Sequence, residues 1–182
     1  MIYRAEPFEL SAEDTKYIRD TYKTDRFLRP GTRKYYSGYH SHPNSTARAD
    51  GWNPGKFLDS KLPGMYAPFL SKSLKAQGLN LPGMILSYNH IWAQIYTKEF
   101  ESENILHNHY SSNDSVCSWI HFIDVPDDQD CLYFKVGDEK FYPKNQRSGT
   151  LVFFPPWAMH GVEPVVSQDD RVVVAGNVVR LK

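Results

Sequence analysis

Apolar positions in residues 10–23, LSAEDTKYIRDTYK, recur with the spacing of a helix face: Tyr17, Ile18 and Tyr22 fall on one side. Ser11 stands at the N-cap, and Glu13 and Asp14 suit the positive end of the helix dipole. Over residues 24–63 the pattern dissolves into glycine, proline, serine, asparagine and charge, which predicts one long loop. A second helical pattern covers 63–80, with Met65, Phe69, Leu70 and Leu74 as its apolar face and Gly78 as its stop signal. After Gly83 the period shortens. Runs rich in β-branched and aromatic residues at 84–97, 115–125, 131–136, 139–143, 150–155 and 171–180 predict strands separated by turn-type clusters. Two helices ahead of a series of strands, without alternating helices, predict a mainly β fold: an antiparallel barrel or sandwich. One domain is expected over 1–182, its helical and loop part ending near residue 83 and its β core filling 84–182.

Composition narrows this picture. The 182 residues carry 21 basic and 21 acidic side chains, a balance that argues against a protein living on nucleic-acid phosphates. Cys117 and Cys131 both sit inside strand-like runs and read as buried free thiols in a reducing compartment. The first residues lack the apolar stretch of a secretory leader, and no run approaches the ~18 apolar residues of a membrane span. A soluble, cytoplasmic protein with no membrane partner is expected.

The candidate chemistry lies in the histidines. In NILHNHYSSNDS (104–115), His107 and His109 stand two apart, so in extended backbone both imidazoles face one side. Imidazole suits iron, zinc, copper and nickel. A third ligand is offered by GTLVFFPPWAMHGVEP (149–164), an apolar strand that delivers His160 into a turn. Arg171 then opens the most apolar strand of the chain, where its guanidinium must reach water or meet an anion such as a carboxylate.

Taken together, Trp92 and Tyr96 on one strand, His107 and His109, Phe154-Pro155 and His160, then Arg171 and Asn177 make a pattern that resembles the 2-oxoglutarate/Fe(II)-dependent oxygenases. It looks closest to a short branch found in phage genomes, with His-x-His in place of the usual His-x-Asp/Glu; the resemblance covers about residues 84–180. It implies a double-stranded β-helix of the jelly-roll or cupin-like kind with the N-terminal helices packed on it. It also implies Fe(II), 2-oxoglutarate and O₂, with His107, His109 and His160 as metal ligands. Arg171 would pair with the distal carboxylate of 2-oxoglutarate, helped by Tyr96 or Ser118. The implied reaction couples decarboxylation of 2-oxoglutarate to succinate with oxidation, usually hydroxylation, of a primary substrate. That substrate would be a prolyl or other protein side chain, or a small metabolite. If the protein is phage-encoded, the host cytoplasm is its compartment.

His109 stands where the family norm has a carboxylate, so two ligand sets remain open. Either all three histidines bind, or His109 and His160 bind and the third position falls to Asp114, Ser111 or water. Three neutral imidazoles, Fe²⁺ and a doubly anionic 2-oxoglutarate sum to zero charge, which a low-dielectric site tolerates. The remaining histidines read more plainly: His40 and His42 in a surface loop, His90 and His121 as hydrogen-bonded core or lumen residues. The loop at 24–63 is the expected lid, with Tyr35, Tyr36, Tyr39 and Trp52 as substrate contacts. The acidic stretch 124–130 reads as a hairpin turn, and the basic, aromatic stretch 25–36 as a solvated loop. Two rivals stand beside the oxygenase: a cupin-type metalloenzyme that does not use 2-oxoglutarate, and a non-catalytic jelly-roll binding module.

Overall fold

The computed structural model describes residues 3–22, 29–30, 38–40, 61–96, 98, 106–109, 114–126 and 130–181. Strand β1 (Arg4–Pro7) and helix α1 (Ala12–Tyr22) come first, then strands β2 (Arg29–Pro30) and β3 (Gly38–His40) and helix α2 (Lys61–Ala76). The remaining strands are β4 (Leu86–Tyr96), β5 (Ser115–Asp124), β6 (Leu132–Val136), β7 (Glu139–Phe141), β8 (Thr150–Phe154), β9 (His160–Val162) and β10 (Arg171–Arg180). They form a seven-stranded sheet in the order β1-β8-β5-β10-β4-β3-β2 and a three-stranded sheet in the order β7-β6-β9, all pairs antiparallel.

The central strands of the large sheet, β4, β5, β8 and β10, are covered on both faces, which explains why they read as nearly unbroken apolar runs. On one face Ile91, Ala93 and Ile95, Cys117 and Trp119, Leu151 and Phe153, and Val172 and Val174 pack against Ile18 of α1 and Leu62, Tyr66, Leu70 and Leu74 of α2. On the other, Trp92 and Tyr96, Ile120 and Phe122, Val152 and Phe154, and Val173 and Ala175 meet Leu132, Phe134 and Val162 of the small sheet. The period-2 alternation of a strand sends neighbours to opposite layers. The result is helices, large sheet and small sheet in three layers.

α1 starts and α2 stops at the residues their sequences mark. The Asp14 amide donates to Ser11 Oγ at 3.0 Å, capping α1. At the other helix Leu79 N–H reaches the Leu74 carbonyl (2.9 Å), Gly78 N–H reaches that of Lys75 (3.1 Å), and Gly78 takes φ 71°, a Schellman stop. Three expectations are corrected. Residues 24–63 are not loop throughout, because β3 pairs with β4 and β2 pairs with β3. The N-terminus contributes an edge strand, β1, to the sheet. His90 is exposed rather than in the core, since β4 becomes buried only from Ile91 onward. His121 does lie in the core, and both cysteines are buried free thiols.

Candidate metal and anion site

His107 and His160 are cross-strand partners in an isolated antiparallel bridge: each amide donates to the other's carbonyl, at 3.0 and 2.9 Å. Two residues on, the amide of His109 donates to the Pro156 carbonyl at 2.8 Å. The turn after β8 and the segment at 106–109 are therefore zipped together by backbone, and the three imidazoles follow from that pairing. Their ring centroids lie 4.4 Å (His107–His160), 5.0 Å (His109–His160) and 5.1 Å (His107–His109) apart. One nitrogen from each lies within 4.8 Å of the others, spacing that lets one divalent ion touch all three. Among the described residues no other such cluster of histidine, cysteine or carboxylate occurs. Asp114 is not part of it, and its backbone carbonyl accepts from the Arg180 amide at the C-terminal end of β10. Ser111 lies outside the described residues.

The donor set suits a metal. The Ala158 carbonyl can only accept, so its 2.9 Å contact with His160 Nδ1 fixes the proton there and leaves the Nε2 lone pair for coordination. Burial holds the His160 imidazolium pKa well below its usual value, and the neighbouring His107 and His109 lower it further. A neutral, oriented imidazole is the ligating form. Apolar surface frames the cluster: Phe154 meets His160 edge-on at 4.8 Å, and Trp92 lies 5.7 Å from His109.

Farther along the same inter-sheet layer lies Arg171, only 2 % exposed. β4 places Tyr96 directly opposite it, and the guanidinium carbon sits 5.4 Å from that ring's centre. Nη1 donates to the Glu163 carbonyl at 2.8 Å and Nη2 reaches that of Pro164 at 3.5 Å, but Nε has no partner among the described residues. Among those residues no carboxylate lies within ion-pair reach of it either. A buried cation satisfied only by carbonyl dipoles is costly and is relieved by an anion.

A residue that sequence reading missed stands beside it. Gln94 is 5 % exposed, pairs across to Val173 and shares the face of Trp92 and Tyr96. Its Nε2 is the other buried side-chain donor without a partner among the described residues. Two orphaned donors in one layer mark a place for an acceptor-rich ligand. The signal in the sequence was a glutamine inside an apolar strand, but only the register shows which way it faces.

Ser118 stands apart from this pair. It lies opposite Asn177, six positions along β10 from Arg171, roughly 20 Å at the rise of a strand. Its Oγ donates to Asn177 Oδ1 at 2.7 Å. The register thus sets Tyr96 opposite Arg171 and Ser118 opposite Asn177. The side chains of Tyr35, Tyr36, Tyr39 and Trp52, and the lid role expected of their loop, lie outside the described residues.

No protein-family model matches the sequence, and no curated protein matches it either. Solved structures do. A prolyl-4-hydroxylase of Pseudomonas putida superposes with a TM-score of 0.61 at 15 % identity, covering 99 % of this chain and 93 % of that one. The chain has the fold of the 2-oxoglutarate/Fe(II) oxygenases. A Trichoplax adhaerens prolyl hydroxylase, in complex with a hypoxia inducible factor oxygen degradation domain peptide fragment, matches with a TM-score of 0.61 at 9 % identity over 98 % of this chain and 83 % of that one. HygX of Streptomyces hygroscopicus, with nickel, 2-oxoglutarate and hygromycin B bound, gives 0.52 at 13 % identity over 97 % and 82 %.

Proposed function

We propose that this protein is a 2-oxoglutarate- and Fe(II)-dependent oxygenase, a hydroxylase, whose two sheets are the halves of a double-stranded β-helix. His107, His109 and His160 hold the iron as an all-histidine set. Arg171, lying over Tyr96, receives the distal carboxylate of 2-oxoglutarate, and Gln94 donates to the cosubstrate between the two ends. The observation that carries the reading is the pairing of a three-imidazole cluster with a buried arginine lacking an anionic partner among the described residues, both facing one layer between the sheets. When bound, the iron and cosubstrate supply the oxidation, coupling decarboxylation of 2-oxoglutarate to succinate with attack on the substrate by O₂ chemistry. The protein's own work is to keep the imidazoles neutral and converged, to orient a dicarboxylate between a metal and a cation, and to exclude water with Trp92, Phe134 and Phe154. The primary substrate is sought among prolyl or other protein side chains and small metabolites.

The test is anaerobic reconstitution with Fe(II) followed by titration with 2-oxoglutarate. A weak visible charge-transfer band is expected, then succinate when O₂ is admitted. His160→Ala abolishes metal binding. Arg171→Ala keeps the metal and raises the 2-oxoglutarate requirement sharply. Metal retained by the histidine variant, or no band in the wild type, refutes the assignment. One observation favours a metalloenzyme that ignores 2-oxoglutarate: Arg171 already ties the segment after β9 through the Glu163 and Pro164 carbonyls. That reading is chosen if metal binds stoichiometrically while 2-oxoglutarate leaves the spectrum unchanged.

A further inference from the structure

Asn177 joins Ser118 to His109. Ser118 Oγ lies 2.7 Å from Asn177 Oδ1, and Asn177 Nδ2 lies 3.5 Å from His109 Nδ1, at the outer edge of hydrogen-bonding distance. The register of β10 shifts just beyond Asn177 against both neighbouring strands, an irregularity of the kind that re-aims a side chain. Gly176 beside it is enforced by close approach, since a Cβ there would lie 2.6 Å from the His90 carbonyl and 2.7 Å from the Trp119 ring.

The chain has two consistent proton arrangements. With the amide as placed, Ser118 O–H donates to Oδ1 and the Asn177 amide N–H donates to His109 Nδ1, which puts the His109 proton on Nε2. With the amide turned over, Nδ2 donates to Ser118 Oγ, and Oδ1 accepts a proton carried on His109 Nδ1. Ser118 Oγ, both amide atoms of Asn177 and His109 Nδ1 keep a partner in both, because a hydroxyl and a neutral imidazole can each donate or accept. Only the second leaves His109 Nε2 unprotonated, as the Ala158 carbonyl leaves that of His160. We propose that Asn177, anchored by Ser118, is a positioning residue that sets the tautomer of His109 and thereby readies it as a metal ligand. This rests on the assignment of His109 as a ligand. It gives Ser118 the work of holding the amide, at the opposite end of β10 from Arg171.

The experiment measures Co(II) affinity by chelator competition, and the paramagnetically shifted imidazole N–H resonances of the Co(II)-loaded protein, for the wild type, Asn177→Ala and Asn177→Asp. Removing an outer hydrogen-bond partner of a metal-bound histidine costs about tenfold or more in affinity, so Asn177→Ala is expected to weaken Co(II) by that factor. One N–H signal should vanish by solvent exchange while the one held on Ala158 persists. The carboxylate introduced by Asn177→Asp accepts from both Ser118 and His109 Nδ1–H, and so locks the ligating tautomer. That variant is expected to bind Co(II) at least as tightly as the wild type. Unchanged affinity in Asn177→Ala overturns the inference. Equal weakening in both variants also overturns it, by showing mere packing. A wild type that binds no Co(II) overturns the ligand assignment itself and this inference with it, whereas normal wild-type binding with an unaffected alanine variant overturns this inference alone.

Discussion

The side chain that separates function from stability most cleanly is Gln94. A buried donor left unpartnered costs roughly 1–3 kcal/mol, and Gln94 Nε2 is such a donor among the described residues. Gln94→Leu should therefore raise the thermal stability of the metal-free protein while weakening 2-oxoglutarate binding by about tenfold, since a donor to a carboxylate is worth ~1.5 kcal/mol or more. A thermal melt and a cosubstrate titration on the same preparation check both halves. If the variant binds 2-oxoglutarate normally, Gln94 does not face the cosubstrate. Gly176 gives the opposite kind of prediction. The obstacle to a Cβ there is partly backbone, the His90 carbonyl, which cannot swing away. Gly176→Ala should lower stability by an overpacking cost of about 1–3 kcal/mol, read from the denaturant midpoint, and should disturb Asn177 next to it.

At the scale of elements, the contact between α2 and the large sheet carries a buried acid-sensitive link. The Phe8 carbonyl can only accept, so His121 Nε2–H donates to it at 2.8 Å, leaving Nδ1 to accept from the Tyr66 hydroxyl, also at 2.8 Å. In this arrangement the ring is neutral, and a proton on Nδ1 would force the Tyr66 hydroxyl to turn its own proton away from the ring. Burial lowers the His121 pKa from its ordinary 6.5 to about 4, the Phe8 carbonyl partly opposing that change. The unfolded chain binds this proton first, so the neutral ring's contribution is whole above about pH 6.5 and is lost as pH falls towards 4. The loss amounts to roughly 3 kcal/mol, each tenfold change in proton affinity being worth ~1.4 kcal/mol. Urea unfolding at pH 7 and pH 4.5 should show a larger acid loss for the wild type than for His121→Gln, which keeps a donor and an acceptor but cannot titrate. Equal losses would place the acid sensitivity elsewhere. Burial also decides which elements the sequence disclosed. Strands β4, β5, β8 and β10 are buried on both faces, so they announced themselves as apolar runs. β1 did not, because an edge strand reading RAEP is mostly polar and ends in proline. β9 is three residues long and begins at His160, too short for any period to register. The histidine cluster was legible in part because spacing of two in extended chain puts His107 and His109 on one face. The positions of Gln94 and of Ser118 against Asn177 were not, because a polar residue in an apolar run does not reveal its face or its cross-strand partner until the register is fixed.

For the whole molecule, the proposed ligands are held by parts that must assemble before any of them has a place. The bridge His107–His160 joins the chain before β5 to the start of β9, and β9 is held by β6 in the small sheet. The edge of β6 is in turn satisfied by Gln146, which accepts from the amides of Cys131 and Leu132 at 3.0 and 2.6 Å and donates to the carbonyls of Leu132 and Pro143. Arg171, by contrast, belongs to the large sheet. A ligand that touches both the histidines and Arg171 thus spans the two sheets and binds only the folded chain. Linkage then requires stabilisation by about 2.7 kcal/mol for each ligand present at a hundred times its dissociation constant. Because 2-oxoglutarate is proposed to use the metal as one of its anchors, Ni(II) and 2-oxoglutarate together should raise the melting temperature by more than the sum of their separate shifts. Arg171→Ala should remove that excess while leaving the nickel shift intact, and Gln146→Ala, which loosens β6 and with it β9, should reduce the nickel shift itself. Strictly additive shifts in the wild type would mean that metal and dicarboxylate do not share a site. An excess that survives in Arg171→Ala would mean that the cosubstrate finds its cation somewhere other than the start of β10.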